Sequence, residues 1–137
     1  MNYRSLVNLA DKAFNTFEKP KQIYKSRSED RTISDAQQRL QAEFVGRSKS
    51  ELTRYECGVL IFENGAVSDD AYLYFLPRLC EAVFFEGADE FLFYSHLQNI
   101  HTEKLSNEQC DVLEKLILGA KAIEANLEAA EEDDLSQ

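Results

Sequence analysis

Apolar residues recur along this chain at intervals of three and four, a spacing that predicts a run of amphipathic helices. Over residues 3–17, Leu6, Leu9, Ala10, Ala13, Phe14 and Phe17 share one face, and Lys19-Pro20 ends the segment. Residues 18–33 lose the pattern. They are polar and basic, with Ile23 and Tyr24 as anchors, and predict a long, partly mobile loop. Periodicity resumes at Ala36, Leu40, Phe44 and Val45, behind a cap at Ser34 or Asp35 and ahead of Gly46. Ser48-Lys49-Ser50-Glu51 has the form of a capping box and predicts a short helix through Leu52 and Tyr55 that stops near Gly58. Val59-Leu60-Ile61-Phe62 then reads as one short strand or, with no second strand to pair it, a buried extended segment before the turn residues Glu63-Asn64-Gly65.

Ser68 can cap a helix over 69–86, and Asp69 and Asp70 in its first turn suit the positive end of the helix dipole. This stretch is apolar nearly all round, which predicts a central, buried helix. Pro77 lies inside it and predicts a kink or break near Phe75 and Leu76. Asp89-Glu90 open a further helix through Phe91, Leu92, Tyr94 and Leu97, followed by a loop over 98–105. Ser106-Asn107-Glu108-Gln109 forms a second capping box. It starts a last helix, from about 107 to 130, with Cys110, Leu113, Leu116, Ile117, Ala120, Ile123 and Leu127 on one face. The expected fold is all-α: a compact bundle of five to six helices, with the 59–62 segment extended. One domain over residues 1–128 is followed by an acidic, disordered tail at 129–137.

Charge changes this picture most. The formal net charge is −10, and it is unevenly spread. Residues 1–54 hold 11 Lys/Arg and 7 Asp/Glu, a net of +4, whereas residues 55–137 hold 4 and 18, a net of −14. Such a surplus repels phosphate backbones, so direct nucleic-acid binding is not expected. It also attracts a basic protein and speeds association with it. Acidity serves ordinary solubility as well. With 137 residues the chain can bury about two-thirds of its unfolded surface. No apolar run approaches the roughly 20 residues of a membrane span, and no leader pattern opens the chain. A cytoplasmic protein without membrane contact is expected. Cys57, Cys80 and Cys110 are too far apart for a metal knuckle, and their apolar neighbours predict buried structural thiols in a reducing compartment.

Signatures of catalysis and cofactor binding are missing: there is no GxGxxG, GxxxxGK[ST], GxSxG or HExxH. No cofactor or metal is expected. His96 and His101 are five apart, off the i, i+4 spacing of paired helical ligands, and read as loop or surface histidines. Adjacent carboxylates at Asp69 and Asp70 do not face each other on a helix, so they read as caps rather than an acid–base pair. Cys80 lies in the most apolar helix, without a base beside it to activate a nucleophile. The aromatic series from Tyr72 to Tyr94 has core spacing, with one or two tyrosines left to face outward.

The segment Ala71-Tyr72-Leu73-Tyr74-Phe75-Leu76-Pro77, behind Ser68, resembles a motif in a family of small, functionally uncharacterised bacterial helical proteins. Leu105-Ser106-Asn107-Glu108-Gln109 and Pro20 fit the same layout, while the basic loop and the acidic tail depart from it. The resemblance implies an immunity or accessory protein encoded near a secreted toxin, and it carries over no catalytic residue. The expected function is therefore non-enzymatic: an acidic protein that binds and blocks a basic toxin or effector. The alternatives are an enzyme or small-ligand protein with a site near Pro77, and a general adaptor. Candidate partner-binding residues are Glu63, Asp69, Asp70, Glu86, Asp89 and Glu90, beside turns and helix starts, with Tyr72 or Tyr74 as aromatic anchor.

Overall fold

In the computed structural model, residues 2–26 and 34–135 are described, with side chains to residue 127. Six α-helices run in the order α1 (Tyr3–Phe14), α2 (Asp35–Phe44), α3 (Arg54–Phe62), α4 (Asp69–Phe85), α5 (Glu90–Asn99) and α6 (Asn107–Leu135), with a 3-10 turn at Lys49–Glu51 between α2 and α3. No strand forms among the described residues; an isolated antiparallel bridge joins Tyr24 to Val67. The all-α bundle expected from the periodicity is the fold.

The apolar helix α4 is the hub. It packs against α1, α3, α6 and the 3-10 turn, while α5 and α6 pair with each other and α1 also meets α6. Along α4, Tyr72, Phe75, Leu76, Leu79 and Cys80 are wholly buried. Phe75 meets Phe44 of α2 edge-on at 6.3 Å, and Phe84 meets Phe93 of α5 in the same way at 6.3 Å. Gln109 Nε2 donates to the Ala13 carbonyl at 3.0 Å, pinning the start of α6 to the end of α1. At the end of α4, Gly87 takes φ +76°, a left-handed conformation that glycine adopts without strain. The chain then folds back far enough for the Ala88 N–H to reach the Ala82 carbonyl at 3.0 Å.

Local expectations fared unevenly. Ser34 and Gln37 make a reciprocal capping box on α2, and Ser106 and Gln109 exchange the same two bonds at the start of α6. Ser68 caps α4 through the Ala71 N–H. Ser48, however, makes no capping bond and precedes only the 3-10 turn. The working box lies five residues later: Thr53 Oγ1 accepts from the Glu56 N–H, and Glu56 Oε1 accepts from the Thr53 N–H. That box starts α3, which runs straight through Gly58, so residues 59–62 are helical and not extended. A lone strand would have left its backbone groups unpaired, whereas the helix satisfies them locally and still buries Cys57, Leu60 and Ile61.

Helix α4 is continuous across Pro77, so the expected break is absent. One lost backbone donor is outweighed by burial on every side of the helix. The described part of the basic loop is strapped down over residues 21–25. The Gln41 side chain receives the Ile23 N–H at 2.8 Å and donates to the Lys21 carbonyl at 2.7 Å. The Lys25 N–H donates to the Ala66 carbonyl at 2.7 Å, and Ile23 is wholly buried. Residues 27–33 of that loop lie outside the described residues. Helix α6 continues to Leu135, so the acids through Asp134 that were expected in a disordered tail continue its helical backbone. Ser136 and Gln137 lie outside the described residues. No helix among the described residues is long and apolar enough to cross a membrane.

Candidate functional site

The candidate acids are dispersed over the ends of three helices. Glu63 closes α3, Asp69 and Asp70 open α4, Glu86 closes α4, and Asp89 and Glu90 stand at the start of α5. Two contacts draw part of this set around α3. Arg54 at its start donates to the Glu86 and Gly87 carbonyls at 2.9 and 3.2 Å, and Asn64 just past its end donates to the Leu92 carbonyl at 3.1 Å. The α4–α5 connection and the first turn of α5 therefore lie along α3.

Several of these acids already have work inside the fold. Glu86 is held by both guanidinium nitrogens of Arg78, at 2.6 and 3.1 Å, and these hydrogen bonds keep its carboxyl below the usual carboxylate range. Asp89 Oδ1 caps α5 by accepting the Leu92 N–H at 2.9 Å. Asp69 Oδ2 accepts the His101 N–H at 3.1 Å, and its other oxygen lies 3.8 Å from His96 Nε2. Glu63, Asp70 and Glu90 form no ion pair among the described residues.

The tyrosine anchors were misplaced. Tyr72 is wholly buried, and its hydroxyl has no hydrogen-bond partner among the described residues. Tyr74 is buried too. Lys49 covers it, with Nζ 5.4 Å from the ring centre, and the Lys49 N–H reaches its hydroxyl at 3.4 Å. Neither can meet a partner as an exposed ring. The reason is that α4 is enclosed on every side from Ala71 to Pro77, so outward-facing positions on a helical wheel there still point into protein.

His96 is also corrected: it sits on α5 and is buried, 8% exposed. Its imidazole stacks on Tyr72, with centroids 3.8 Å apart and planes 6° from parallel. Burial drives its pKa down to about 4, against the smaller opposing pull of Asp69 and the Asn64 backbone. At neutral pH it is an uncharged core ring, a poor proton shuttle. His101 is exposed. Cys57 and Cys80 are buried free thiols, with burial pushing Cys57 up to about 11 and Cys80 higher still. Cys110 is half-buried, short of the full burial expected. Among the described residues no three His, Cys, Asp or Glu side chains are placed to hold a metal ion.

The surface that sequence reasoning missed is the outer face of α3. Tyr55, Gly58, Val59 and Phe62 follow the i, i+3, i+4, i+7 spacing of one helical stripe. Tyr55 is 75% and Phe62 71% exposed. These residues form one wall of a groove of about 510 Å³ whose other wall is α2, through Ala36, Arg39, Leu40 and Glu43. Dividing this stretch at Gly58 into a helix end and an extended segment hid the stripe; Thr53 and Glu56 were the signal that would have joined it. No protein-family model, curated protein or solved structure matches the chain.

Proposed function

We propose that this chain is a non-enzymatic acidic binding protein that docks on a basic protein partner, in the manner of an immunity protein blocking a toxin or effector. The observation that carries this reading is the −14 balance of residues 55–137 together with Glu63, Asp70 and Glu90, which form no ion pair among the described residues. Unpaired carboxylates lose least when a basic surface displaces their water, because no internal partner has to be given up first. Glu86 and Asp89 support the surface structurally instead, one by holding Arg78 and the other by capping α5.

The test is a titration of the chain against the purified product of the neighbouring gene, at low and at physiological ionic strength. Binding should weaken as salt rises, because screening shortens the reach of the acidic surface. Asp70→Lys combined with Glu90→Lys should weaken binding more than removal of residues 129–137. Neither substitution removes a capping bond, but each places a cation in a first helical turn, so an unchanged far-ultraviolet dichroism spectrum must accompany any loss of binding. Absence of binding would remove the immunity reading. If truncation abolished binding while the reversals left it intact, recognition would belong to the end of α6.

A further inference from the structure

Four separate stretches of the chain put polar side chains around one small cavity of about 150 Å³: Lys25 from the strapped segment, Asn64 from the turn after α3, Asp69 from the start of α4, and Ser95, His96 and Asn99 from α5. Its oxygens outnumber the donors offered to them. Asn64 and Asn99 turn their amide nitrogens to the Leu92 and Ser95 carbonyls, at 3.1 and 2.8 Å, and their own oxygens accept no hydrogen bond among the described residues. The Ser95 hydroxyl is likewise without a partner there. Asp69 gives one oxygen to the His101 N–H, and the other stands 3.8 Å from His96 Nε2, outside hydrogen-bonding distance. A group that brings several N–H donors and one positive charge together is an ammonium or a guanidinium. We propose that this cavity is a socket for such a group, the charged end of a lysine or arginine side chain on the basic partner described above, and on that reading the identity of the occupant rests.

The cavity has room for roughly five waters, enough for the head of one side chain and too little for a folded segment. The Asp69 side chain is only 23% exposed, so its charge is screened less than that of a fully hydrated carboxylate. His96 is buried against Tyr72, and burial keeps its ring neutral at neutral pH, so it adds no positive charge to repel an entering cation. Lys25 is the one cation on the wall. Its backbone is held by the Ala66 carbonyl and Gln37 Nε2, whereas its side chain is exposed and forms no ion pair among the described residues. The flexible lysine stem can carry that charge out into solvent. Lys25 thus competes for the same oxygens without occupying them, and a second donor cation displaces it at little loss.

Titration of the nitrogen-15-labelled chain with methylguanidinium chloride, followed by nuclear magnetic resonance, tests the socket without a protein partner. Tetramethylammonium chloride at matched ionic strength is the control, because it carries the same charge and no donor. Methylguanidinium should produce saturable shifts at the Asn64 and Asn99 side-chain amides and at Ser95 and His96, with a millimolar dissociation constant, as a ligand of so few atoms allows. Asp69→Asn keeps an oxygen for the His101 N–H but removes the charge, and it should raise that constant about tenfold. Asn99→Ala, at an exposed position, should raise it about threefold, and Lys25→Gln should lower it about twofold. No saturation below about 100 mM, or equal saturation by tetramethylammonium, would overturn the inference. So would methylguanidinium binding that Asp69→Asn and Asn99→Ala both leave intact, or binding of the basic partner that Asp69→Asn leaves unchanged. A chain that binds methylguanidinium in this way but no basic partner would lose the earlier reading and keep the socket.

Discussion

Helices α3 and α4 are built from nearly the same kinds of residue, and only one of them is enclosed. Helix α4 packs against α1, α3, α6 and the 3-10 turn, its Phe75 and Tyr72 also reach Phe44 of α2 and His96 of α5, and both of those rings lose their water completely. Helix α3 has a core face of Cys57, Leu60 and Ile61 and an outer face whose two large rings stay in solvent. Apolar composition alone therefore does not say what a helix is for. On α4 it supplies the core of the bundle, whereas on the outer stripe of α3 Val59 packs against the core and the Tyr55 and Phe62 rings stay exposed.

Paired truncations break or sharpen this contrast most directly. Phe75→Ala removes a wholly buried ring that packs edge-on against Phe44, and it should destabilise the fold by about 3–5 kcal/mol. Phe62→Ala should change the stability of the monomer by about 0.5 kcal/mol or less, because that ring is already largely hydrated. Urea unfolding of both variants at high dilution gives the two numbers. Comparable losses would mean that the outer face of α3 is structural after all.

The next effect lies where α4 meets α5. His96 takes up a proton near pH 6.5 in the unfolded chain but only near 4 in the fold, where burial beside Tyr72 disfavours the charged ring. Between those values the unfolded state binds the extra proton, so stability falls as pH falls. The loss should reach about 2 kcal/mol between about pH 7 and pH 5. The depressed carboxyls of Glu56, paired with Arg47, and Glu86, paired with Arg78, act in the same direction only lower down. Their stabilisation is complete above the ordinary carboxylate range and is lost as pH falls through their lowered values. Denaturation of the wild type and His96→Gln at both pH values separates the contributions. The variant should lose most of the slope, and an unchanged slope would place the titration elsewhere.

How legible the molecule was in its sequence depended on whether a signal was local. Helical periods, the cap at Ser34, the box at Ser106 and the burial of α4 are properties of short windows, and each of those elements is where its window put it. The outer stripe of α3 was lost for one reason: glycine lowers helix propensity by about 1 kcal/mol, and Gly58 was given more weight than the packing of Cys57, Leu60 and Ile61 that overrides it. Tyr72, Tyr74 and His96 were misjudged because their burial depends on neighbours distant in the chain: Lys49 for Tyr74, and α5 against α4 for the other two. The acids were placed correctly at helix ends, but no window could reveal that Arg78 already holds Glu86 or that the His101 backbone already engages Asp69.

The smallest effect tests how α3 begins, and with it the continuity of both its faces. Two sequences upstream of α3 have the form of a capping box, Ser48 to Glu51 and Thr53 to Glu56, and only the second makes the bonds. Glu56 is doubly committed. One oxygen receives the Thr53 N–H at 2.9 Å and Arg47 Nη2 at 3.0 Å, and the other receives Arg47 Nη1. Thr53→Ala leaves the Glu56 N–H without its acceptor at the first turn, so it should cost about 1 kcal/mol. Ser48→Ala removes a hydroxyl that caps nothing and should stay within about 0.5 kcal/mol of the wild type. Thr53→Ser keeps the accepting oxygen and should recover most of the loss. Because the box fixes where the helix starts, Thr53→Ala should also speed amide exchange over the first turn of α3 more than at Leu60 and Ile61, whose side chains are held by the core. If Ser48→Ala proved the costlier change, α3 would begin earlier than Arg54, and the box at Thr53 would not be what starts it.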